Sequence, residues 1–523
     1  MDDLERVGII LSPRAAKAIG GSASTGRKMS HIRSNTGASR REFLQAGFAV
    51  AGASLASAAP LSAASSASAS QPAAAKGPNI IFFYTEAQRW DALGLAGNIL
   101  LKTPNMDRIG REGVVFNKSF CTNALCAPSR AVALTGMYSH STGALDNEAL
   151  EALPASIPLF TDLLHHAGYE TALCGKAHGP NGFKERPWDY YFAFNAPSTD
   201  YYNPTFHERF AGERGETRNY PGDYADDLAT DRALNWLDQK RDKPFCLLLW
   251  HQSPHAPFYR PRKYLDLYNG VLIPTPETFW DYPTRFPGKP KAFIDAKNKI
   301  GTMQTGDGVR SLEELVKDYN AGFAGVDDNI GRVLDWLERS GEMDNTVIVL
   351  TSDHGYFLGE WQAYDKRFMH EPSIHTPMMI RYPKAFQPGT RREEMVLNLD
   401  VAPTLLELAG VEVPAQMQGR SVVEMAQGKA PDWRRDWLYE YFEYPLNEYV
   451  QPHRGVRTDR YKFIHYYLEP QEFEMYDLQE DPQELKNLYG DPRYADIQRH
   501  LIQRLAELRR ETGDNSNVRV LDS

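Results

Sequence analysis

The chain carries a compact motif in which a cysteine precedes a proline, a serine and an arginine. It reads Cys126-Ala127-Pro128-Ser129-Arg130 and opens the longer run CAPSRAVALTG. Four fixed residue types in this frame are an unusual coincidence at average residue frequencies. A cysteine in such a setting can act as a covalent nucleophile. The alternative is structural, with Cys126 as a buried side chain just before a helix that begins with proline.

Acidic residues and histidines follow three long apolar runs, at the points where those runs end. Glu86 follows the first run, His251 and His255 follow the second, and Asp353 with His354 follows the third. Long apolar runs separated by helical patterns are typical of buried parallel strands. Ligands of open α/β sheets bind outside the carboxyl ends of such strands. The sequence therefore predicts that these side chains meet at one edge of a sheet.

The cysteine motif and its companions resemble type I sulfatases, which belong to the alkaline-phosphatase-like superfamily. The resemblance extends from Pro78 to about residue 490. It implies that a formylglycine-generating enzyme converts Cys126 to formylglycine. One hydroxyl of the hydrated aldehyde would attack sulfur as a covalent nucleophile, and the other would drive sulfate out as the carbonyl re-forms. The same match implies that Arg130 stabilises the formylglycine.

A second part of the resemblance concerns a metal ion. The segment TSDHG at 351–355 matches the family's second metal motif. By that match Asp353 and His354 bind Ca²⁺ together with the oxygen of the modified Cys126, and Glu86 is a further ligand. Ca²⁺ takes oxygen ligands and would neutralise the sulfate under attack, and Mg²⁺ is the alternative ion.

Three further segments resemble the family's sulfate-binding and proton-transfer motifs. The segment GKAH contains Lys176, which would hold sulfate, and His178, which would hydrogen-bond the formylglycine diol and help to deprotonate it. The segment DKR contains Lys366, a second sulfate-binding lysine. The segment PHAPF contains His255 near the leaving-group oxygen. We expect His255 to be the general acid because histidine titrates near neutral pH.

Two positions depart from the family pattern. Adjacent aspartates usually follow the first strand, whereas this chain has Glu86-Ala87. Ala87 cannot ligate, so we expect weaker metal binding or altered geometry, with Gln88 or a water filling the gap. His375 stands where an arginine is expected, and we predict that it contacts the substrate.

The elements that must position these residues belong to an α/β fold. Apolar runs at 79–85, 245–250, 346–351 and 378–382 are predicted strands. Between them, the segment 326–337 has one apolar stripe and one charged face, as a surface helix does. We therefore expect an alkaline-phosphatase-like catalytic domain at 77–415, with a large mixed, mostly parallel sheet sandwiched by helices.

The C-terminal part, at 416–523, is predicted to be a smaller α+β subdomain with a small antiparallel sheet and a terminal helix. Strand candidates lie at 437–442, 460–467 and 473–478, and the helix at 495–511. This part resembles most closely the carbohydrate sulfatases of the N-acetylglucosamine-6-sulfatase type. There we expect His453 and Arg454 to contact substrate, although a surface-loop role fits them equally well.

The first 76 residues are predicted to be an export leader followed by a disordered Ala/Ser-rich segment. The stretch SRREFL at 39–44 looks like a twin-arginine signal, with the twin-arginine export machinery as its partner. We therefore expect a periplasmic or secreted protein. The mildly apolar run at 46–59 is too short to span a membrane, so no stable membrane anchor is expected.

Composition limits the possible partners. The chain has 523 residues, 42% of them hydrophobic, which is enough for a large core. The formal net charge is -10, and nothing suggests nucleic acid as the partner. A sulfated substrate would need a local cationic pocket in so acidic a protein.

The sequence thus predicts a sulfuric ester hydrolase that acts on a sulfated glycan through formylglycine at Cys126. One alternative is a phosphonate or phosphodiester hydrolase of the same superfamily. The other is a catalytically impaired relative that binds sulfated glycans, for which Glu86-Ala87 is the best argument.

Overall fold

The structure is a computed structural model that describes residues 77–147, 153–154, 156–179, 182–280, 288–300, 304–305, 308–309, 311–445 and 448–515. The predicted leader at 1–76 lies outside these ranges. All the described residues belong to one compact unit. Within them, no helix has the length and apolar character needed to cross a membrane.

Strands and helices alternate along most of the described chain. The strands are β1 (Asn79–Thr85), β2 (Val114–Phe120), β3 (Glu170–Lys176), β4 (Tyr190–Phe194), β5 (Thr205–Phe210), β6 (Glu216–Asn219), β7 (Phe245–Trp250), β8 (Gln304–Thr305), β9 (Gly308–Val309), β10 (Thr346–Ser352), β11 (Phe357–Leu358), β12 (Tyr364–Asp365), β13 (Met378–Arg381), β14 (Thr390–Leu397), β15 (Asp436–Tyr441), β16 (His453–Thr458), β17 (Tyr461–Tyr466) and β18 (Glu472–Asp477). The α-helices are α1 (Pro104–Arg111), α2 (Cys126–Thr135), α3 (Ser139–Thr142), α4 (Phe160–His166), α5 (Ala225–Leu237), α6 (Lys291–Ile294), α7 (Leu312–Ser340), α8 (Glu371–Ile374), α9 (Val401–Leu408), α10 (Val423–Ala426) and α11 (Ala495–Thr512).

Ten strands form the main sheet, in the order β14-β2-β13-β10-β1-β7-β3-β4-β5-β6. The central strands β10, β1, β7, β3 and β4 run parallel to their neighbours in that group. Antiparallel pairs occur where β13 inserts between β10 and β2, and at the β4-β5-β6 edge. The predicted large, mixed and mostly parallel sheet is therefore confirmed.

The alternation of side chains along β1 explains why helices cover both faces of this sheet. Ile81 and Phe83 pack in one core with residues of α1, α5 and α7. Ile80 and Phe82 pack in a second core with residues of α2, α4 and α9. Successive strand residues point to opposite faces, so a continuous apolar run is stable only when both faces are buried. Each such side chain contributes about 1.5–3 kcal/mol of burial free energy.

The C-terminal strands form a separate antiparallel sheet, in the order β15-β16-β17-β18. A third core joins this sheet to α11 through Leu501, Leu505 and Leu508, and to the main sheet through Phe120. The predicted small sheet and terminal helix are confirmed. The Tyr439 hydroxyl in β15 accepts a hydrogen bond from the N–H of Ala124, so the C-terminal sheet lies beside the start of α2, which carries Cys126.

Candidate active site

Cys126 is the first residue of α2 and is fully buried. Its Sγ atom lies 3.3 Å from Glu86 Oε1 and 3.4 Å from His354 Nε2. The first backbone N–H groups of a helix have no partner within the helix and make its N-terminus electropositive. Cys126, the residue singled out from the sequence, therefore lies where an anionic group is favoured.

Two strand ends deliver the acidic side chains to Cys126. Glu86 follows β1, and Asp353 and His354 follow β10, with Thr85 paired to Ser352 in the sheet. Ligand atoms of Glu86, Cys126, Asp353 and His354 all lie within 4.8 Å of one another, and all four residues are buried. The convergence expected from the strand ends is therefore present for Glu86, Asp353 and His354, whereas His251 is buried outside this cluster.

Two cations bind the outer oxygens of these carboxylates. One guanidinium nitrogen of Arg130 lies 2.9 Å from Glu86 Oε2 and 2.9 Å from Asp353 Oδ2. Lys176 Nζ lies 2.7 Å from Glu86 Oε2, and both partners are fully buried. The guanidinium also lies over the rings of Tyr84 and Trp250, at 5.3 and 5.2 Å from their centroids. Such a desolvated network holds each carboxylate in one orientation.

Burial and charge act in opposite directions on the two carboxylates. Burial would raise the pKa of Glu86, but the nearby Lys176, His255 and Arg130 lower it below its ordinary value. Burial and the negative charge of Glu86 raise the pKa of Asp353 to about 6. Two anionic side chains this close, out of contact with water, favour a bound cation between them.

His354 presents one defined ring nitrogen to the cluster. Its Nδ1 atom lies 2.8 Å from the carbonyl oxygen of Gly355, which can only accept a hydrogen bond. Nδ1 therefore carries the proton in the neutral ring, and Nε2 faces Cys126 and Glu86 as a lone-pair donor. Burial would lower the pKa of His354, but the Asp353 carboxylate raises it above its ordinary value.

The other predicted histidines and Lys366 surround the same point. His178 follows β3 and is fully buried, and burial lowers its pKa to about 4. His255 Nε2 lies 3.9 Å from Glu86 Oε1, and its Nδ1 lies 2.5 Å from the carbonyl of Ala256. Burial and Lys176 lower the pKa of His255. Lys366 Nζ lies 3.9 Å from Glu86 Oε1.

A pocket of about 450 Å³ opens above this cluster. Glu86, His255 and Lys366 are among the residues that line it. Its outer wall is mixed in charge and aromatic, and consists chiefly of Lys297, Tyr356, Tyr364, Asp365, Arg367 and Glu448. A wall with both hydrogen-bond partners and aromatic faces suits a polar ring such as a sugar.

The structure does not bring the three residues predicted to contact substrate to this pocket. His375 lies between the rings of Trp90 and Phe120. His453 is fully buried among Tyr439, Tyr441 and Tyr466. Arg454 is buried against Asp514, at 2.9 Å. Their contacts are those of packing side chains and of a buried ion pair.

Gln88 does not fill the place of the missing carboxylate. Its side-chain oxygen accepts a hydrogen bond from the Thr85 hydroxyl, and its amide donates to the carbonyl of Ala92. The side chain is therefore turned away from the cluster. Ala87 takes part only through its backbone, with its N–H donating to Asp353 Oδ1 at 3.0 Å.

Sequence reasoning missed residues that hold the site in place. Asn147 Oδ1 accepts the N–H of Ala127 in the first turn of α2, and the N–H of Asn147 donates to Glu443. Arg367 pairs with Glu443 and lines the pocket beside Lys366. The DKR segment gave a signal for Arg367. Nothing local in the sequence marked Asn147 or Glu443.

Comparison with known proteins agrees with this geometry. Residues 78–411 match the family model described as Sulfatase, and residues 359–511 match one described as N-sulphoglucosamine sulphohydrolase, C-terminal. The chain is 36% identical over 504 residues to the N-acetylglucosamine-6-O-sulfatase of Bacteroides thetaiotaomicron, and the match covers 84% of this chain and 88% of that protein.

One more relative and one solved structure also match the chain. The chain is 29% identical over 478 residues to the multifunctional alkaline phosphatase superfamily protein PehA of Trinickia caryophylli, covering 80% of this chain and 91% of that protein. A solved structure of a protein in complex with its substrate D-glucosamine-2-N,6-O-disulfate matches with a TM-score of 0.78 and 34% identity, covering 84% of this chain and 99% of that one. With the buried cluster around Cys126, these matches identify the chain as a member of the sulfatase family, within the alkaline phosphatase superfamily, and as a sulfuric ester hydrolase.

Proposed function

We propose that this protein removes sulfate from a sulfated carbohydrate, with a formylglycine made from Cys126 as the nucleophile. The position of Cys126 Sγ carries the proposal, because it lies 3.3 and 3.4 Å from two candidate metal ligands at the base of a polar pocket. Two of the matches support a glucosamine sulfate as the substrate class, since one is to an N-acetylglucosamine-6-O-sulfatase and the other is to a structure with D-glucosamine-2-N,6-O-disulfate bound.

The residues present fit a divalent cation. After conversion of Cys126, the cluster would offer oxygen from residue 126, oxygen from Glu86 and Asp353, and nitrogen from His354. A cation held there supplies positive charge to the sulfate oxygens, and we propose Ca²⁺ or Mg²⁺ for this role. Hydrated formylglycine supplies one hydroxyl for attack on sulfur and a second for release of sulfate.

The chain's own side chains divide the remaining tasks. Lys176 and Lys366 place point charges beside the sulfate, where negative charge builds up in the transition state. His178 lies beside residue 126 and can take its proton, because burial keeps the ring neutral at pH 7. His255, with Nδ1 held by a carbonyl, presents Nε2 to the pocket and gives its proton to the leaving alcohol.

Two measurements on the full chain from its own host test the proposal. Mass spectrometry of the peptide containing Cys126 should give the mass of formylglycine or its hydrate. Sulfate release from 6-O-sulfated N-acetylglucosamine should fall about a thousandfold or more in Cys126→Ala. Cys121→Ala is the matched control, because Cys121 is also a buried free cysteine. Equal rates for Cys126→Ala and the parent would contradict the proposal.

The same assays separate the alternatives. A higher kcat/KM for an aryl phosphonate than for an aryl sulfate would favour the phosphonate or phosphodiester hydrolase. Measurable binding of a sulfated glycan without any turnover would favour the impaired relative.

We further propose export by the twin-arginine route, to the periplasm or beyond the cell. The proposal rests on Arg40 and Arg41 in the sequence SRREFL. Replacing both with lysine should leave the protein in the cytoplasmic fraction, and unchanged export of that variant would contradict it.

A further inference from the structure

The cluster at the base of the pocket has an unusual set of donors while residue 126 is still cysteine. Among the described residues it offers one carboxylate oxygen each from Glu86 and Asp353, the sulfur of Cys126 and the imidazole nitrogen of His354. This is a mixed set of oxygen, sulfur and nitrogen. Ca²⁺ prefers six to eight oxygen ligands, whereas Zn²⁺ binds four ligands of these three kinds.

Four of the six distances between the donors are close to those around a small four-coordinate ion, and the other two are within 4.8 Å. Cys126 Sγ lies 3.3 Å from Glu86 Oε1 and 3.4 Å from His354 Nε2. His354 Nε2 lies 3.7 Å from Glu86 Oε1 and 3.5 Å from Asp353 Oδ1. Tetrahedral Zn²⁺ with ordinary Zn–S, Zn–N and Zn–O bonds places its ligands about 3.3–3.6 Å apart.

The surrounding groups orient Glu86 and His354 toward the sulfur of Cys126. Arg130 binds the outer oxygens of both carboxylates, and Lys176 binds that of Glu86, which leaves Glu86 Oε1 facing the sulfur. The Gly355 carbonyl fixes the tautomer of His354 so that Nε2 faces inward. Carbonyl or carboxylate groups behind a histidine ligand are the usual support of a bound transition metal.

Ala87 stands where the family pattern has an aspartate. The cluster therefore lacks a carboxylate donor that would favour a hard cation such as Ca²⁺. Ala87 has a φ of 56°, in the left-handed region, and its N–H donates to Asp353 while its carbonyl accepts from Tyr319 at 2.8 Å. Its side chain offers no ligand, and Gln88 is turned away. In the described part of the chain, the cluster therefore keeps only two carboxylates.

We propose that, while residue 126 remains cysteine, this cluster is a four-coordinate site for Zn²⁺ or a similar transition-metal ion. Binding takes Cys126 as the thiolate, and the thiol proton passes to solvent. Conversion of Cys126 replaces the sulfur with oxygen and removes the preference for such a metal. The unconverted chain is then a folded, metal-loaded species distinct from the hydrolase, and metal selectivity reports on conversion.

The test uses full-length protein from a host without a formylglycine-generating enzyme, with Cys126 verified by mass spectrometry. After chelation of all metal, Zn²⁺ is titrated in competition with a chromophoric chelator, and Co²⁺ is used as a spectroscopic probe. We expect one ion per chain, a thiolate-to-cobalt charge-transfer band, and at least ~100-fold weaker Zn²⁺ binding in Cys126→Ala. Cys121→Ala should behave as the parent, and thermal melts of the metal-free proteins should verify folding.

Two results would overturn the proposal. One is Zn²⁺ binding of equal strength in Cys126→Ala and the parent. The other is displacement of Zn²⁺ from the parent by an equal concentration of Ca²⁺. Neither result depends on sulfate hydrolysis, which is measured on the converted protein, so failure of the zinc site and failure of the proposed function are distinguishable.

A second variant tests the role of Ala87 directly. Aspartate tolerates the left-handed conformation better than most residues, so Ala87→Asp adds a carboxylate without a new backbone demand. We expect the ratio of Ca²⁺ to Zn²⁺ affinity to rise at least tenfold in this variant. An unchanged ratio would show that Ala87 does not set the metal preference.

Discussion

Glu86 receives charge-assisted contacts from three buried cations, Arg130, Lys176 and Lys366, and the contacts of the two lysines differ in length. Lys176 Nζ lies 2.7 Å from its carboxylate, with both side chains fully buried. Lys366 Nζ lies 3.9 Å from it and also pairs with Asp365 at 3.3 Å. Arg130 stays bound to Glu86 in either case, but loss of the closer, fully buried lysine removes more of the charge compensation than loss of the longer contact does. The two lysines can therefore be separated experimentally.

We predict that Lys176→Met lowers the free energy of unfolding by at most about 3–5 kcal/mol, the cost of a buried charge left without any partner. Lys366→Met should cost less stability, because Glu86 keeps its contacts with Lys176 and Arg130. Both variants should lose sulfatase activity, since each removes a charge beside the sulfate. Chemical denaturation and sulfate release measure the two effects. Equal losses of stability in the two variants would contradict this ranking.

His255 allows a prediction about leaving groups. A general acid matters most when the departing alkoxide is a poor leaving group, so His255→Gln should slow hydrolysis of a sugar sulfate by about 10²–10⁴-fold. Hydrolysis of nitrophenyl sulfate should change far less. Comparison of kcat for the two substrates in parent and variant measures the effect, and a uniform loss would argue for a role in binding instead.

The pKa of His255 also fixes the sign of a pH effect. The ordinary pKa of histidine is near 6.5, and burial and Lys176 lower the pKa of His255 below that value. The protonated acid is therefore lost as pH rises through a value below 6.5, and kcat/KM of the parent for a sugar sulfate should fall there. His255→Gln should lack this fall. A fall that persists in the variant would have another origin.

Among individual residues, the sequence predicted best the positions of side chains whose chemistry requires particular atoms. Glu86, Asp353 and His354 come together as predicted, and His255 lies beside Glu86, because strand ends carry them to one edge. His453 was expected near the substrate but is buried among tyrosines. The sequence around a histidine looks the same whether the side chain is in the core or in a pocket. Only the tertiary packing distinguishes the two positions.

The helix that carries Cys126 depends on a distant segment for its first turn. Its N-cap, Leu125, has no side chain that can accept a hydrogen bond. Asn147 Oδ1 accepts the N–H of Ala127 at 3.0 Å, and Glu443 accepts the N–H of Asn147 at 3.1 Å. Glu443 follows β15, so the C-terminal part helps to fix the position of the nucleophile.

We predict that Asn147→Ala costs about 1 kcal/mol of stability, as loss of a helix cap does. It should lower kcat more than it raises KM, because residue 126 moves relative to the bound sulfate while the pocket wall is unchanged. Asn147→Asp keeps the acceptor oxygen and should restore much of kcat. A rise in KM with unchanged kcat would place Asn147 in substrate binding.

Helices and strands with a clear hydrophobic periodicity were predicted well from the sequence. Strands that form only by pairing with a distant strand were not. The apolar stripe predicted at 326–337 lies in α7, and its residues are all buried, as the helical pattern requires. They are Val326, Ile330, Val333, Leu334 and Leu337. The strand β14 has a partly exposed and charged start, and it forms a strand because β2 pairs with it at six positions. Pairing across long sequence separations leaves little local signal.

His140 connects three elements that are far apart in the sequence. His140 lies in α3, its Nδ1 is 2.6 Å from Glu440 in β15, and its Nε2 is 3.0 Å from the carbonyl of Thr512 in α11. A carbonyl only accepts, and a carboxylate favours a donor, so both ring nitrogens carry protons here. Although burial opposes the charge, Glu440 raises the pKa of His140 above its ordinary value.

A raised folded-state pKa makes this contact a pH-dependent source of stability. The stabilisation is fully present below the unfolded value, near pH 6.5, and is lost as pH rises through the folded pKa. We predict that His140→Gln costs about 1.5–3 kcal/mol at low pH, as loss of a hydrogen-bonded charged group does, and less above the folded pKa. Denaturation of both proteins on either side of this range measures the difference. His500→Gln in the exposed part of α11 is the control, and a loss in His140→Gln that is the same at every pH would show that His140 contributes by packing and not by charge.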